Sequence, residues 1–241
     1  MNNSVKSLVE KIATGPTRPL ISPLLRFSAF ALECQNRPIC NYDRPQRHSV
    51  MDLVRQVLRE RHTLLTPGEA YAIYSAVERT AKVPGALAEV GVYQGGSSKL
   101  ICEAKRSRHL HLFDTFSGLP DRRSEDDLAH FVSGNFACEL ESVQRYLSPY
   151  RGVTFHKGIF PGTAGTVSGE HFSFVHLDVD LYECTKESLW FFYPRMSPGG
   201  IIMSHDYVSS AVRRAFDEFF AEMPEPVIEL AGDQCMVVKL A

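Results

Sequence analysis

The sequence predicts an α/β fold with a mostly parallel sheet, helices on both faces and a C-terminal antiparallel strand. Two observations predict it. Short apolar segments alternate with segments of helical periodicity, which is typical of parallel sheets covered by helices. The last two apolar segments flank Gly232 and Asp233, a pair that is typical of a hairpin turn and therefore of antiparallel strands.

Two helices precede the alternating part. The first is predicted over Met51–Arg61, where apolar residues recur on one face. The second begins after Thr66, because this N-cap residue is followed by a proline at the first helical position and by Glu69 at the third. It continues to Ala81, and Pro84 and Gly85 end it.

The alternating part follows in order. Strands are predicted at Ala86–Val92, His109–Phe113, Val153–His156, Phe172–Leu177, Ile201–Ser204, Val227–Leu230 and Gln234–Lys239. Helices are predicted at Ser97–Arg106, Glu139–Leu147, Thr185–Tyr193 and Ser209–Phe220. The aromatic run Trp190–Phe192 is expected to pack in the core. Ligands of such sheets bind beyond the carboxyl ends of the strands, so the residues after each strand are the candidates for chemistry.

Length and composition predict one domain with an N-terminal arm. The chain has 241 residues, of which 44% are hydrophobic, enough for one sizeable core at residues 48–241. Residues 1–47 are predicted to be an arm, because five prolines interrupt regular structure there: Pro16, Pro19, Pro23, Pro38 and Pro45. A lid or a dimer contact is the alternative for this segment. Residues 121–136 are either a solvated loop or a lid over the substrate.

Charge and cysteine usage exclude several classes of partner. The net charge of -2 gives no electrostatic basis for a nucleic-acid partner. No apolar run reaches the roughly 20 residues of a membrane span, and no secretory signal is evident, so no membrane partner is expected. The six cysteines form no CxxC pair, which favours reduced thiols in a cytoplasmic protein.

A glycine-rich turn and an aspartate follow the first two strands. Gly91, Gly95 and Gly96 allow a tight turn after the first strand, and Ser97 and Ser98 can cap the next helix. Neither GxGxxG nor the Gly-Lys-Ser of a phosphate-binding loop is present. Asp114 follows the second strand, where a carboxylate can accept both hydroxyls of a ribose. The alternative is that Asp114 only caps local backbone amides.

Acids and a histidine follow the next strands. Asp178 and Asp180 are two residues apart, so on extended chain they point the same way. His205 and Asp206 follow the neighbouring strand, so all four groups can converge. Neighbouring carboxylates repel unless a cation or proton lies between them, and this donor set suits Mg²⁺ or Mn²⁺. The alternative is that the acids cap the helices that follow their strands.

These motifs together resemble the macrocin O-methyltransferase family, whose members methylate sugar hydroxyls of antibiotics. The resemblance covers roughly Leu64 to Lys239 and rests on Glu89–Ser98, Asp114–Pro120, His176–Tyr182, and Ser197–Gly200 followed by His205-Asp206-Tyr207. It implies the class I S-adenosylmethionine (SAM)-methyltransferase fold, which is Rossmann-like, and a homo-oligomer, commonly a dimer. The implied substrate is a small molecule with a hydroxyl group.

The resemblance also implies roles for individual residues. Asp178 and Asp206 correspond to Mg²⁺ ligands, and His205 stands where the family has the first aspartate of an Asp-Asp pair, which leaves Mg²⁺ or Mn²⁺ open. Asp178 or Asp180 corresponds to the general base. The residues expected to contact SAM are Glu89, Gly91, Tyr93, Gly95, Ser97, Ser98, Asp114, Phe116, Gly158, Phe160 and Asp178.

Three rival functions follow from the same residues. The first is a metal-independent methyltransferase in which His205 is the base, because the unperturbed pKa of histidine lies near neutral pH. The second is a protein that binds SAM or a nucleotide without catalysis. The third is a dehydrogenase, against which the missing GxGxxG counts.

Overall fold

The computed structural model of the chain describes residues 45–121 and 132–241. The chain divides into two compact units, Met1–Ser49 and Val50–Ala241, and only residues 45–49 of the first unit are described. Most of the predicted arm therefore lies outside the described residues. The same holds for residues 122–131 of the predicted lid.

Two helices precede the sheet, α1 (Pro45–Glu60) and α2 (Pro67–Arg79). The predicted cap of α2 is confirmed, because the Thr66 hydroxyl accepts the N–H of Glu69 at 3.4 Å and the Glu69 carboxylate accepts the N–H of Thr66 at 2.7 Å. The predicted start of α1 at Met51 is wrong, since the helix begins six residues earlier at Pro45. Proline is compatible with a first helical turn, where its missing N–H would have no intrahelical acceptor.

The second unit contains a seven-stranded sheet in the order β3-β2-β1-β4-β5-β7-β6. The strands are β1 (Ala86–Val90), β2 (Leu110–Asp114), β3 (Val153–Lys157), β4 (Phe172–Leu177), β5 (Met196–Ser204), β6 (Ile228–Glu229) and β7 (Cys235–Val238). β1 to β5 pair in parallel, whereas β7 is antiparallel to both β5 and β6. The predicted mixed sheet is confirmed. The strand order reverses between β1 and β4, and such a switch point leaves a crevice for ligands.

Four more helices connect the strands: α3 (Gly96–Ala104), α4 (Leu140–Leu147), α5 (Tyr182–Phe192) and α6 (Ser210–Phe220). α2 packs against α3, and α5 packs against α6. All six residues of β4 are buried, so both faces of the sheet are covered at its centre, as predicted. Among the described residues, no helix combines the length and apolar character needed to cross a bilayer.

Phenylalanine side chains fill the core between β4 and α5. Phe172 and Phe192 are fully buried, with ring centroids 5.0 Å apart. Burying each such side chain contributes roughly 1.5–3 kcal/mol to stability. The predicted burial of Trp190 is wrong, because this side chain is 63% exposed. Leu189 and Phe192 take the inward face of α5, and the helical rotation of about 100° per residue therefore directs Trp190 outward.

Candidate active site

A cleft opens at the carboxyl ends of the parallel strands. Its volume is about 1040 Å³, including space open to solvent. Ten of the predicted site residues line it: Gly91, Tyr93, Ser97, Asp114, Gly158, Phe160, Asp178, Asp180, His205 and Asp206.

The glycine turn after β1 packs directly against the strand that carries the acids. Gly91 has a φ of +86°, and its N–H donates to the carbonyl oxygen of Phe113 at 2.9 Å. A Cβ at this position would lie 1.8 Å from the carbonyl oxygen of Asp178. Only glycine can therefore occupy the turn, and the turn and the acidic segment are fixed relative to each other.

Asp114 organises the same turn through three backbone hydrogen bonds. One carboxylate oxygen accepts the N–H groups of Val92 and Tyr93 at 2.6 and 2.9 Å, and the other accepts the N–H of Phe116 at 2.6 Å. A carboxylate offers about four acceptor positions, so one remains for a ligand. Asp114 also lines the cleft. This residue can therefore cap local amides and still contact a ligand.

Four residues of the expected SAM-contacting set lie outside the cleft lining: Glu89, Gly95, Ser98 and Phe116. Glu89 and Ser98 are fully buried and hydrogen-bonded to each other, and His176 Nδ1 lies 2.9 Å from Glu89. Gly95 is the N-cap residue of α3, with a φ of +79°. The side chains of Glu89 and Ser98 therefore support the turn from the protein interior, and their contact with a ligand stays a prediction.

The segment after β3 forms the opposite wall of the cleft. Gly158 donates its N–H to the carbonyl oxygen of Asp114 at 2.9 Å, which joins this wall to the end of β2. The Phe160 ring stacks on that of Phe192 with centroids 5.2 Å apart, so Phe160 is held by the core. Two large apolar side chains at the cleft are exposed, Leu64 at 60% and Ile159 at 59%.

Four ionisable side chains meet where β4 and β5 end. His205 Nδ1 lies 3.1 Å from Asp206 Oδ2 and 3.6 Å from Asp178 Oδ1. Asp180 and Asp206 have left-handed backbone conformations, with φ values of +61° and +56°. The predicted convergence is confirmed, but its predicted cause is not, because a tight turn and not extended chain brings Asp180 to the cluster.

The members of this cluster shift the pKa values of one another. Burial alone would lower the pKa of His205, but Asp178, Asp206 and Glu69 outweigh it and raise that pKa to about 12. Burial and the neighbouring Asp206 raise the pKa of Asp180 well above its usual range. Without a metal, the acids therefore favour the protonated imidazole of His205, whose charge balances part of theirs, and a cation bound at Nδ1 would replace that proton.

Three of these side chains have the geometry of a divalent-cation site. One ligand atom each from Asp178, His205 and Asp206 can be chosen so that all three lie within 4.8 Å of one another. Ligand atoms about 2.1 Å from a cation and at right angles are about 3 Å apart. The separations of 3.1 and 3.6 Å are close to that value, so the donor set fits a metal.

The alternative that the acids cap helices is not supported. α5 follows the first pair of acids, and its N-cap residue is Leu181, with no side-chain capping bond. α6 follows Asp206, and its N-cap residue is Ser209, again with no side-chain capping bond. The carboxylates therefore face the cleft and one another instead of the ends of these helices.

Glu69 belongs to the site and was predicted only as a helix cap. Its side chain is 3% exposed, and its Oε2 lies 3.7 Å from His205 Nε2. Its Oε1 accepts the N–H of Asp233 at 2.8 Å. Both contacts join residues that are far apart in the chain, so local sequence patterns contain no signal for them.

Comparisons with known proteins agree with this geometry. The family model described as macrocin-O-methyltransferase (TylF) matches residues 46–236. The chain is 30% identical to an 8-demethyl-8-(2,3-dimethoxy-alpha-L-rhamnosyl)-tetracenomycin-C 4'-O-methyltransferase of Streptomyces olivaceus, over 62% of this chain and 64% of that protein. It is also 30% identical to a demethyldecarbamoylnovobiocin O-methyltransferase of Streptomyces niveus, over 75% of this chain and 76% of that protein.

Solved structures lead to the same fold. The O-methyltransferase NovP superposes with a TM-score of 0.65 at 28% identity, covering 75% of this chain and 83% of that one. An O-methyltransferase from Bacillus cereus, solved in complex with SAH, superposes with a TM-score of 0.57 and covers 87% of this chain and 96% of that one. At 13% identity this second comparison supports the fold and nothing further. The fold is thus that of class I SAM-dependent methyltransferases, and the chain belongs to the macrocin O-methyltransferase family.

Proposed function

We propose that this chain transfers the methyl group of SAM to a hydroxyl group of a small molecule, with assistance from a divalent cation. One observation carries the proposal: the acid and imidazole cluster shares a cleft with the glycine turn and Asp114. Membership of an O-methyltransferase family supports the reaction type. We further propose that residues 48–241 form one methyltransferase domain, which agrees with the matched residues 46–236.

The cofactor would bind along the glycine turn. SAM supplies a methyl group on a positively charged sulfur. We assign the remaining acceptor position of Asp114 to a ribose hydroxyl and the wall around Gly158 and Phe160 to the adenine. The backbone at Gly91 has no side chain, so a ligand can approach the turn closely. The fixed packing of this turn against Asp178 would hold the donor beside the acidic cluster.

The acceptor hydroxyl would lie next to the acidic cluster. A divalent cation held by Asp178, His205 and Asp206 would lower the pKa of that hydroxyl. We propose Asp178 or Asp180 as the group that accepts its proton. The pKa of both carboxyl groups is raised by burial and by neighbouring acids, and a raised pKa makes a carboxylate a stronger proton acceptor.

A sugar hydroxyl of a natural product is the proposed acceptor. The names of the relatives give a rhamnosyl-tetracenomycin and demethyldecarbamoylnovobiocin as what they methylate. In this chain the exposed side chains of Leu64 and Ile159 offer apolar surface at the cleft. The rings of Tyr93 and Phe136 lie edge to face at 5.6 Å and line the same cleft. Such surface suits the apolar aglycone of a glycosylated acceptor.

The metal-free alternative, with His205 as base, is less well supported. The surrounding acids raise the pKa of His205 to about 12, and a protonated imidazole accepts no further proton.

A protein that binds SAM without catalysis is the other alternative, and only a measurement of turnover distinguishes it from the proposal. A dimer and a cytoplasmic location stay predictions, the first of which light scattering on the purified protein would test.

The proposal is tested with purified protein, SAM carrying a labelled methyl group and a panel of aromatic rhamnosides. We expect labelled product with at least one rhamnoside, and its loss when EDTA is added. The aglycones alone are the matched control acceptors. Failure to bind SAM or S-adenosylhomocysteine in calorimetry would overturn the assignment. Full turnover in chelator would remove the cation from it.

A further inference from the structure

His205 lies between two groups of acids. Its Nδ1 edge faces Asp178 and Asp206 in the cleft, and its opposite edge faces Glu69, whose Oε2 is 3.7 Å from Nε2. Nε2 is buried, and within the described part of the chain it has no hydrogen-bond partner. A movement of about 0.8 Å would bring Nε2 and the Glu69 carboxylate to the usual hydrogen-bond distance of about 2.9 Å.

The position of Glu69 is set by groups other than His205. One oxygen accepts the N–H of Thr66 at 2.7 Å, and the other accepts the N–H of Asp233 at 2.8 Å. A Cβ on Gly232 would lie only 2.5 Å from Glu69 Oε1, so the turn between β6 and β7 packs tightly on this carboxylate. The start of α2 and this turn therefore hold an acceptor in place beside the imidazole.

A neutral imidazole carries one N–H, and the acceptor beside one nitrogen decides which nitrogen carries it. An acceptor at Nε2 keeps the proton there and leaves the lone pair of Nδ1 free to bind a metal. Metal-binding histidines are commonly oriented in this way by a carboxylate on the far side of the ring. Glu69 has the required position, whereas Asp178 and Asp206 lie on the metal side.

We propose that Glu69 is a positioning residue that orients His205 as a metal ligand and makes the site prefer Mn²⁺ or a later transition metal over Mg²⁺. This inference rests on the metal site in the proposed function. An imidazole nitrogen suits transition metals better than Mg²⁺, which prefers oxygen ligands. Metal preference is thereby assigned to one pair of residues, His205 and Glu69.

The test is calorimetric titration of Mn²⁺ and Mg²⁺ into the full chain saturated with S-adenosylhomocysteine. We expect Glu69→Gln to weaken Mn²⁺ binding about 10–100-fold, the usual effect of removing such an outer carboxylate. Thr66→Ala is the matched control, because it removes the hydroxyl that accepts the N–H of Glu69 at 3.4 Å but leaves the carboxylate. We expect Mn²⁺ affinity in Thr66→Ala to stay within about threefold of wild type, as the ligand set is unchanged.

A second variant and a spectroscopic signal do not depend on how Glu69→Gln folds. We expect ¹⁴N coupling from the His205 imidazole in pulsed electron paramagnetic resonance of bound Mn²⁺ in the wild type. In His205→Asp we expect this coupling to vanish and the ratio of Mn²⁺ to Mg²⁺ affinity to fall at least about tenfold, since no nitrogen ligand remains. Adding Glu69→Gln to His205→Asp should then change Mn²⁺ affinity less than about twofold.

The outcomes separate the inference from the proposed function. Equal Mn²⁺ affinity in Glu69→Gln and Thr66→Ala, with normal binding in the wild type, overturns the role of Glu69 and leaves the methyltransferase proposal intact. Bound Mn²⁺ without ¹⁴N coupling overturns His205 as a ligand. Absence of Mn²⁺ binding in a wild type that binds S-adenosylhomocysteine overturns both the inference and the cation in the proposed function.

Discussion

Replacing Asp114 tests whether one carboxylate both holds the glycine turn and binds the cofactor. In the structure its two oxygens accept three backbone N–H groups from Val92, Tyr93 and Phe116. Asp114→Asn keeps the shape of the side chain but replaces one acceptor oxygen by a donor. The asparagine oxygen can serve Val92 and Tyr93 together, and the N–H of Phe116 then loses its acceptor.

The magnitude follows from that count of hydrogen bonds. One buried N–H without an acceptor costs about 1–3 kcal/mol. For a domain of this size, about 1 kcal/mol corresponds to roughly 2–4 °C in melting temperature, so we expect a decrease of about 2–12 °C. Asp114→Ala removes all three bonds, and we expect about 2–4 kcal/mol, because water replaces part of the lost bonding at this half-buried site. Loss of the charged acceptor for a ribose hydroxyl should weaken S-adenosylhomocysteine binding about 10–100-fold in both variants.

The assays are thermal unfolding followed by circular dichroism and calorimetric titration of S-adenosylhomocysteine. Asp52→Asn is the control, because among the described residues this exposed carboxylate contacts Arg55 in a surface ion pair at 2.7 Å, and such pairs are worth about 0–1 kcal/mol. Wild-type melting temperature together with wild-type affinity in Asp114→Asn would refute the reasoning. A lower melting temperature with unchanged affinity would retain the structural role and refute the contact with the cofactor.

Four further predictions concern Asp178, the cation, Gly91 and Glu225. Asp178→Asn should remove nearly all methyl transfer but leave SAM affinity, measured by calorimetry, within a few-fold of wild type. EDTA should abolish the wild-type activity, and Mg²⁺ or Mn²⁺ should restore it. Unchanged turnover in either experiment would contradict the proposed roles of Asp178 and the cation. Gly91→Ala should destabilise the fold by about 2–5 kcal/mol in urea unfolding, since its Cβ would meet the Asp178 carbonyl at a positive φ, whereas Gly165→Ala has open space and should change little. Burial raises the pKa of Glu225, but hydrogen bonds donated by Tyr193, the Leu240 N–H and Lys239 outweigh this effect and lower the pKa from 4.5 to about 2. The charged carboxylate therefore stabilises the fold above pH 4.5 and loses that effect as the pH falls towards 2. We expect Glu225→Gln to lower the free energy of unfolding by about 2 kcal/mol at pH 7 and by less as the pH falls. A loss that stays constant with pH would show that the charge is not its cause.

The sheet could be predicted from the sequence because its signals are local. Short apolar runs correspond to the parallel strands that the structure contains, and Gly91 and Asp178 follow β1 and β4 directly, while Asp114 ends β2. The start of α1 could not be predicted, because a proline was interpreted as a break although it also fits a first helical turn. The exposure of Trp190 was missed for a related reason, since an aromatic run shows no phase from which the inward side can be identified.

The sequence predicts where the site lies on the sheet, but it does not predict most of the contacts within the site. Parallel strands bring their carboxyl ends to one edge, so Asp114, Asp178 and His205 had to lie at the same edge of the sheet. The burial of Glu89 and Ser98 could not be predicted, because a motif shows which residues occur near a ligand and not which of them support the others. Contacts between distant segments, of which Glu69 with His205 is the main example, require the tertiary structure.

We propose that one cleft holds a divalent cation and the sulfonium group of SAM side by side. Crystals grown with S-adenosylhomocysteine and Mn²⁺ allow the anomalous scattering of manganese to be measured directly. We expect a single anomalous peak about 2.1–2.3 Å from Asp178, His205 Nδ1 and Asp206, next to S-adenosylhomocysteine bound along the Gly91 turn. A cofactor bound in that turn with no manganese between these three side chains, or a peak elsewhere on the protein, would contradict the account.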